Sequence, residues 1–79
     1  MKGIAMHKEN IKITTEYIKL DQLLKFAGIA ESGADAKDMI YDETVSVGGE
    51  ICTMRGKKIR PGDVVTVEFD DEVCEITVE

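Results

Sequence analysis

The side chains best equipped for chemistry lie in one short run. Met54-Arg55-Gly56-Lys57-Lys58-Ile59-Arg60 carries four cations and no acid. An Arg guanidinium forks two donors onto a phosphate, and a Lys ammonium supplies a mobile point charge. Gly56 lets backbone amides approach a ligand closely. The run suits contact with a polyanion. It equally suits a solvated loop that offsets acidic residues elsewhere in the chain, and composition leaves both readings open.

Other chemistries find less support. His7 is the only histidine, and Cys52 and Cys74 are the only cysteines. That is too few ligands for a zinc site and too few thiols for a disulfide framework. Acidic neighbours at Glu50 and Glu75 do not favour a thiolate, so both cysteines are expected as buried, reduced thiols. No Gly-rich phosphate loop occurs. A Ser-His-Asp arrangement would depend on His7, near the start of the chain. Asp70-Asp71-Glu72 lacks the spaced ligands of a calcium loop and reads as a solvated turn. The expectation is a chain that is not an enzyme, with no cofactor and no metal. Tyr17, Phe26, Tyr41 and Phe69 are scattered, and the two Phe are expected in the core. Recognition of a structured RNA by shape and phosphate therefore fits better than stacking along a single strand.

The charge balance qualifies this reading. Ten basic against sixteen acidic residues give a net charge of −6, whereas nucleic-acid binders are usually basic. The excess is local: residues 63–79 carry seven acids and no base, and the rest of the chain is close to neutral. Screening over ~8 Å lets an acidic end coexist with a phosphate-binding surface elsewhere. A length of 79 residues fits one domain spanning 1–79. Apolar runs fall far short of the ~20 residues of a membrane span. Met1 to Asn10 lacks the apolar stretch of a secretory signal, so a cytoplasmic address is expected.

The elements that must position the basic run can be read from period and punctuation. Residues 1–10 show no period and are expected to include a loose start. Ile11 and Ile13 alternate with polar residues like a short strand. Leu20, Leu23, Leu24 and Ala27 mark one helical face, with Asp21 and Lys25 at the ends that suit the dipole and Gly28 as a left-handed cap. Ser32 caps a second helix whose buried face is Ala36, Met39 and Ile40. Val45 and Val47 begin a strand, Gly48-Gly49 turns the chain, and Ile51 starts the return. Met54 to Gly62 reads as a basic connection, ending in a type II turn at Pro61-Gly62. Strands from Val64 to Phe69 and from Val73 to Val78 complete an α+β layout.

From Lys19 to Val67 the chain resembles the RNA-binding domain named after ribosomal small-subunit protein S-four, the α-L motif. The resemblance is closest to its small stand-alone bacterial members. It rests on Lys19-Leu20-Asp21, Leu24, Gly28, Ser32, Ala36, Ile40, Val45-Ser46-Val47-Gly48-Gly49 and Gly62-Asp63-Val64. The run from Arg55 to Asp63 looks very like the corresponding segment of those members. The resemblance implies two short helices packed on a small, mostly antiparallel sheet of four to five strands. It also implies binding of structured RNA through the helical pair and the adjacent hairpin. Lys19 stands where the family often has Arg, and Lys37 where basic residues are common. Gly33 replaces a frequent Arg, and Gly48 a usual Asn.

The expected phosphate contacts are Lys19, Lys37, Arg55, Lys57, Lys58 and Arg60. Lys25 suits either a phosphate or its own helix C-terminus. The target class implied by the resemblance is ribosomal or transfer RNA, with the ribosome or its proteins as further partners. Duplex DNA fits less well, because no helix reads as a base-contacting recognition helix. The alternative is a protein-interaction adaptor, in which the outer edge of the acidic C-terminal strands adds to a partner's sheet or meets a basic protein.

Overall fold

The structure is a computed structural model that describes residues 5–79. It is an α+β fold. The order is β1 (Ala5–Ile11), β2 (Ile18–Lys19), α1 (Leu20–Phe26), α2 (Gly33–Tyr41), β3 (Val45–Val47), β4 (Glu50–Ile51), β5 (Lys58–Ile59), β6 (Val64–Glu68) and β7 (Glu72–Val78). Five strands form one sheet in the order β1-β7-β6-β3-β4, and β2 pairs with β5 in a second, two-stranded sheet. All pairs are antiparallel except β1 with β7.

Strand alternation sends Val45, Val65, Val67, Ile76 and Val78 to one face of the sheet. There they meet Leu20, Leu23 and Leu24 of α1, and Ala36 and Ile40 of α2, in one buried cluster. The end of α1 and the start of α2 are set by their residues. Gly28 adopts φ +77° just beyond α1. The Ser32 hydroxyl accepts the Asp35 amide at 3.1 Å at the start of α2. Gly48 and Gly49, at φ +60° and +88°, make the β3–β4 turn, where two left-handed positions match the twist of a hairpin. Gly62, at φ +98°, occupies the third place of the turn closed by the Asp63 amide on the Arg60 carbonyl at 3.0 Å.

The end of α2 is less well matched to its residue. Glu43 follows the helix cap with φ +63°, the only non-glycine residue in that region among those described. A left-handed L-residue is strained by contact of its Cβ with the following carbonyl. Glu43→Gly is expected to raise stability by ~0.5–1 kcal/mol, the relief of that strain less the added freedom of the unfolded chain. A urea melt with a lower midpoint than the parent would contradict this.

Four expectations are corrected. Ala5–Asn10, expected as a loose start, is strand, held along its length by parallel pairing with β7; the remainder of that expectation, residues 1–4, lies outside the described residues. Phe26 and Phe69 are not core: they are 69% and 43% exposed. Phe26 sits off the helical face defined by Leu20, Leu23 and Leu24, and Phe69 lies at the β6–β7 turn. Cys52 and Cys74 are free but only half-buried. Burial, together with the charges of Glu72 and Glu9, pushes the Cys74 thiol up, which keeps it protonated at neutral pH. Finally, the strand-addition form of the adaptor reading needs an open outer edge on the C-terminal strand pair. That edge is absent, because β7 lies between β1 and β6.

Candidate nucleic-acid interface

The basic run is not a free connection. Its first part is a tight turn in which the Lys57 amide donates to the Met54 carbonyl at 3.1 Å. This turn covers the start of α1. A helix begins with amides that lack intrahelical acceptors, and α1 has no side-chain cap at Lys19. The carbonyls of Lys57 and Arg55 supply the acceptors, taking the amides of Leu20 at 2.9 Å and Asp21 at 3.1 Å. The backbone of the basic turn is therefore the cap of the first helix, and its side chains stand beside the positive end of the helix dipole.

Two further contacts fix the turn. The Asp21 carboxylate is buried and lies 3.8 Å from the Arg55 guanidinium, while its other oxygen accepts the Gln22 amide at 2.8 Å. One residue past the turn, β5 pairs with β2 so that Lys58 faces Lys19 and Ile59 faces Ile18. Ile59 is fully buried and pins the strand to the core.

Lys19, Arg55, Lys57 and Lys58 are thus brought together around the start of α1, and all four are exposed. Lys19 opposite Lys58 is a cross-strand pair of like charges, which is unfavourable unless an anion lies between or beside them. The Lys58 ammonium lies over the Tyr17 ring, 5.0 Å from its centre. Arg60 is exposed in the turn that leads into β6, and its amide donates to Asp63 Oδ2 at 2.8 Å. Lys37 stands apart on α2, half-buried, with its ammonium 5.7 Å from the centre of the Tyr41 ring. Lys25 is exposed in the last turn of α1, at the opposite end of that helix from the basic turn.

The acidic turn between β6 and β7 is kept away from this cluster. Arg60 lies just before β6, and Asp70 and Asp71 lie just after it. A five-residue strand spans roughly 17 Å, about two screening lengths at physiological salt. Asp70, Asp71 and Glu72 therefore leave the field around the basic turn largely intact, whereas Asp63 lies against Arg60 and Glu79 follows the near end of β7.

Sequence reasoning missed two parts of this arrangement. Asp21 was legible as a favourable dipole charge and as part of the Lys19-Leu20-Asp21 element, but its pairing with Arg55 depends on a contact between distant parts of the chain. Tyr17 gave no signal at all, because its place beside Lys58 follows from the two-residue β2–β5 pairing.

The comparisons with known proteins bear on the whole fold. A family model described as the S4 domain matches residues 11–77, a wider span than the 19–67 that carry the motif residues. The chain is also 43% identical over 58 residues to the "Probable ribosome maturation protein RlbA" of Bacillus subtilis (strain 168), an alignment covering 73% of this chain and 82% of that protein.

Proposed function

The chain belongs to the S4 domain family, and on that premise we propose that it binds structured RNA without catalysing a reaction. Ribosomal RNA is the first target to test, since a relative is named as a ribosome maturation protein; transfer RNA is the second. Lys19, Arg55, Lys57 and Lys58 hold the phosphates of one RNA backbone segment, with Arg60 extending the contact. Lys37 and Tyr41 make a separate contact from α2. The protein works where structured RNA is found, in the cytoplasm and on the ribosome or its precursors.

The observation that carries this reading is the capping of α1 by the basic turn. Four cations are displayed on backbone held by hydrogen bonds, so little freedom is lost when an RNA docks. Like charges at Lys19 and Lys58 are brought together in the free protein, and an anion relieves that repulsion. Such a site reads phosphate spacing and helix shape rather than base sequence.

If about four phosphates are neutralised, the logarithm of the binding constant falls with the logarithm of salt concentration at a slope of roughly −3 to −4. Fluorescence anisotropy with a labelled ribosomal RNA hairpin, titrated at several salt concentrations, measures it. A slope near zero, or no binding at low salt, overturns the proposal. Ultraviolet crosslinking in cells then identifies the RNA.

A further inference from the structure

Two large apolar side chains remain exposed beside the basic turn. Ile51 is 61% and Met54 66% exposed. Single exposed apolar residues are ordinary on a protein surface, but these two line the same cleft, of about 260 Å³, between the β3–β4 hairpin and the basic turn. Glu50, Thr53 and Lys57 also border it. Lys57 thus belongs both to the cleft and to the cation cluster.

The walls are fixed without a ligand. The Cys52 amide donates to the Val45 carbonyl at 2.9 Å, and the Lys57 amide closes the turn on the Met54 carbonyl at 3.1 Å. The same Met54 carbonyl also accepts from the Cys52 thiol at 3.8 Å. The volume lies below the ~300–1,000 Å³ usual for small-molecule pockets, so the cleft suits one planar ring rather than a larger ligand. Its chemistry suits the same object. A methionine sulfur packs well on an aromatic ring, Ile51 offers an apolar surface, and the Glu50 carboxylate is an acceptor without a donor.

We propose that this cleft receives one unpaired nucleobase bearing an exocyclic amino group, from the same RNA whose phosphates the basic turn holds. The inference rests on the RNA-binding reading. An unpaired base swung out of a helix stays within one nucleotide of its own phosphate, and Lys57 stands where both can be held at once. Met54 and Ile51 take the faces of the ring. Glu50 accepts a hydrogen bond from the amino group, which adenine, cytosine and guanine carry and uracil lacks. RNA-binding proteins commonly recognise such splayed bases at bulges and loops.

The test uses the full chain and a family of RNA hairpins, either fully paired or carrying a single bulged adenine, cytosine or uracil. The parent is expected to prefer bulged adenine or cytosine over bulged uracil and over the paired hairpin. Met54→Ala should reduce that preference roughly fivefold and leave the salt slope unchanged. Lys57→Ala should weaken every hairpin and reduce the slope by about one. Glu50→Gln should abolish the discrimination against uracil, since an amide both donates and accepts. A bulged 2-aminopurine, which keeps an amino group, should change its fluorescence on binding the parent and change less with Met54→Ala. Equal affinity of the parent for paired and bulged hairpins overturns the inference and leaves RNA binding standing, and so does a bulge preference that survives in Met54→Ala and Ile51→Ala. Failure to bind any hairpin removes both.

Discussion

Exchanging Lys57 and Lys58 together for Glu is expected to lower affinity for structured RNA about a hundredfold or more at ~0.15 M salt, with the urea midpoint almost unmoved. Each hydrogen bond from a charged donor to a phosphate is worth ~1.5–3 kcal/mol. Two of them at the lower figure give ~3 kcal/mol, or about two decades of binding constant, and the reversed charges add repulsion. Stability should barely respond. Both side chains are exposed, and the cation–π contact of Lys58 with Tyr17 is worth only ~0.5–1 kcal/mol at such a site. The control is Lys8→Glu on β1, which lies at the opposite edge of the sheet from β4. It lowers the net charge but should shift affinity by less than about threefold once salt screens the distant charge. Anisotropy titrations read all three proteins. Parent-like affinity in the double variant would reduce the basic turn to a solvated helix cap.

Ile59→Ala is expected to cost ~2–5 kcal/mol of stability, the usual range for truncating a buried branched side chain. Ile59 is fully buried, yet it stands between Lys58 and Arg60, both exposed. At roughly 0.05–0.15 kcal/mol per residue, a chain of this size has only about 4–12 kcal/mol in total. The substitution therefore removes a large share, and the urea midpoint should fall accordingly. RNA affinity should fall as well, even where the protein is still mostly folded, because Ile59 fixes β5 and β5 presents Lys58. Ile59→Val, which removes one methylene at a cost of ~0.5–1.5 kcal/mol, should restore most of both properties. A loss below ~0.5 kcal/mol for the alanine variant would show that β5 is not anchored through this side chain.

The difference between these two experiments follows the line between what was legible in the sequence and what was not. Features set by a few neighbouring residues could be read directly. Ser32 capping α2, Gly28 closing α1, the Gly48-Gly49 hairpin and the Pro61-Gly62 turn all depend on contacts within a few positions. The cations of the site were legible for a similar reason: their charge is a property of residue type. Their grouping was not. Met54 to Gly62 reads as a connection, because a two-residue strand has no period. Only the pairing of Lys58–Ile59 with Ile18–Lys19 and the capping of Leu20 and Asp21 turn it into a fixed surface. Ala5–Asn10 was missed on the same ground. All six residues are exposed, so no hydrophobic alternation marks the strand, and its partner lies at the far end of the sequence. Phe26 misled by residue type alone, since large aromatic side chains are more often buried than not.

The parallel pairing of β1 with β7 has a consequence for the order of synthesis. Of the described strands the ribosome makes β1 before the others, and β7, the strand it pairs with, after them. Every other neighbour in the large sheet lies closer along the chain: β3 meets β4 and β6, and β6 meets β7. The helices, the hairpin and the basic turn can therefore assemble on a nascent chain before β1 has anywhere to go. Joining segments so far apart is entropically costly and slow. A chain halted before Glu72 would leave β1 unpaired and the edge of β6 bare, open to the strand edges of other chains. Addition of β7 pairs β1 and covers the bare edge of β6 in a single step, so the commitment to the five-stranded sheet is made only as β7 emerges.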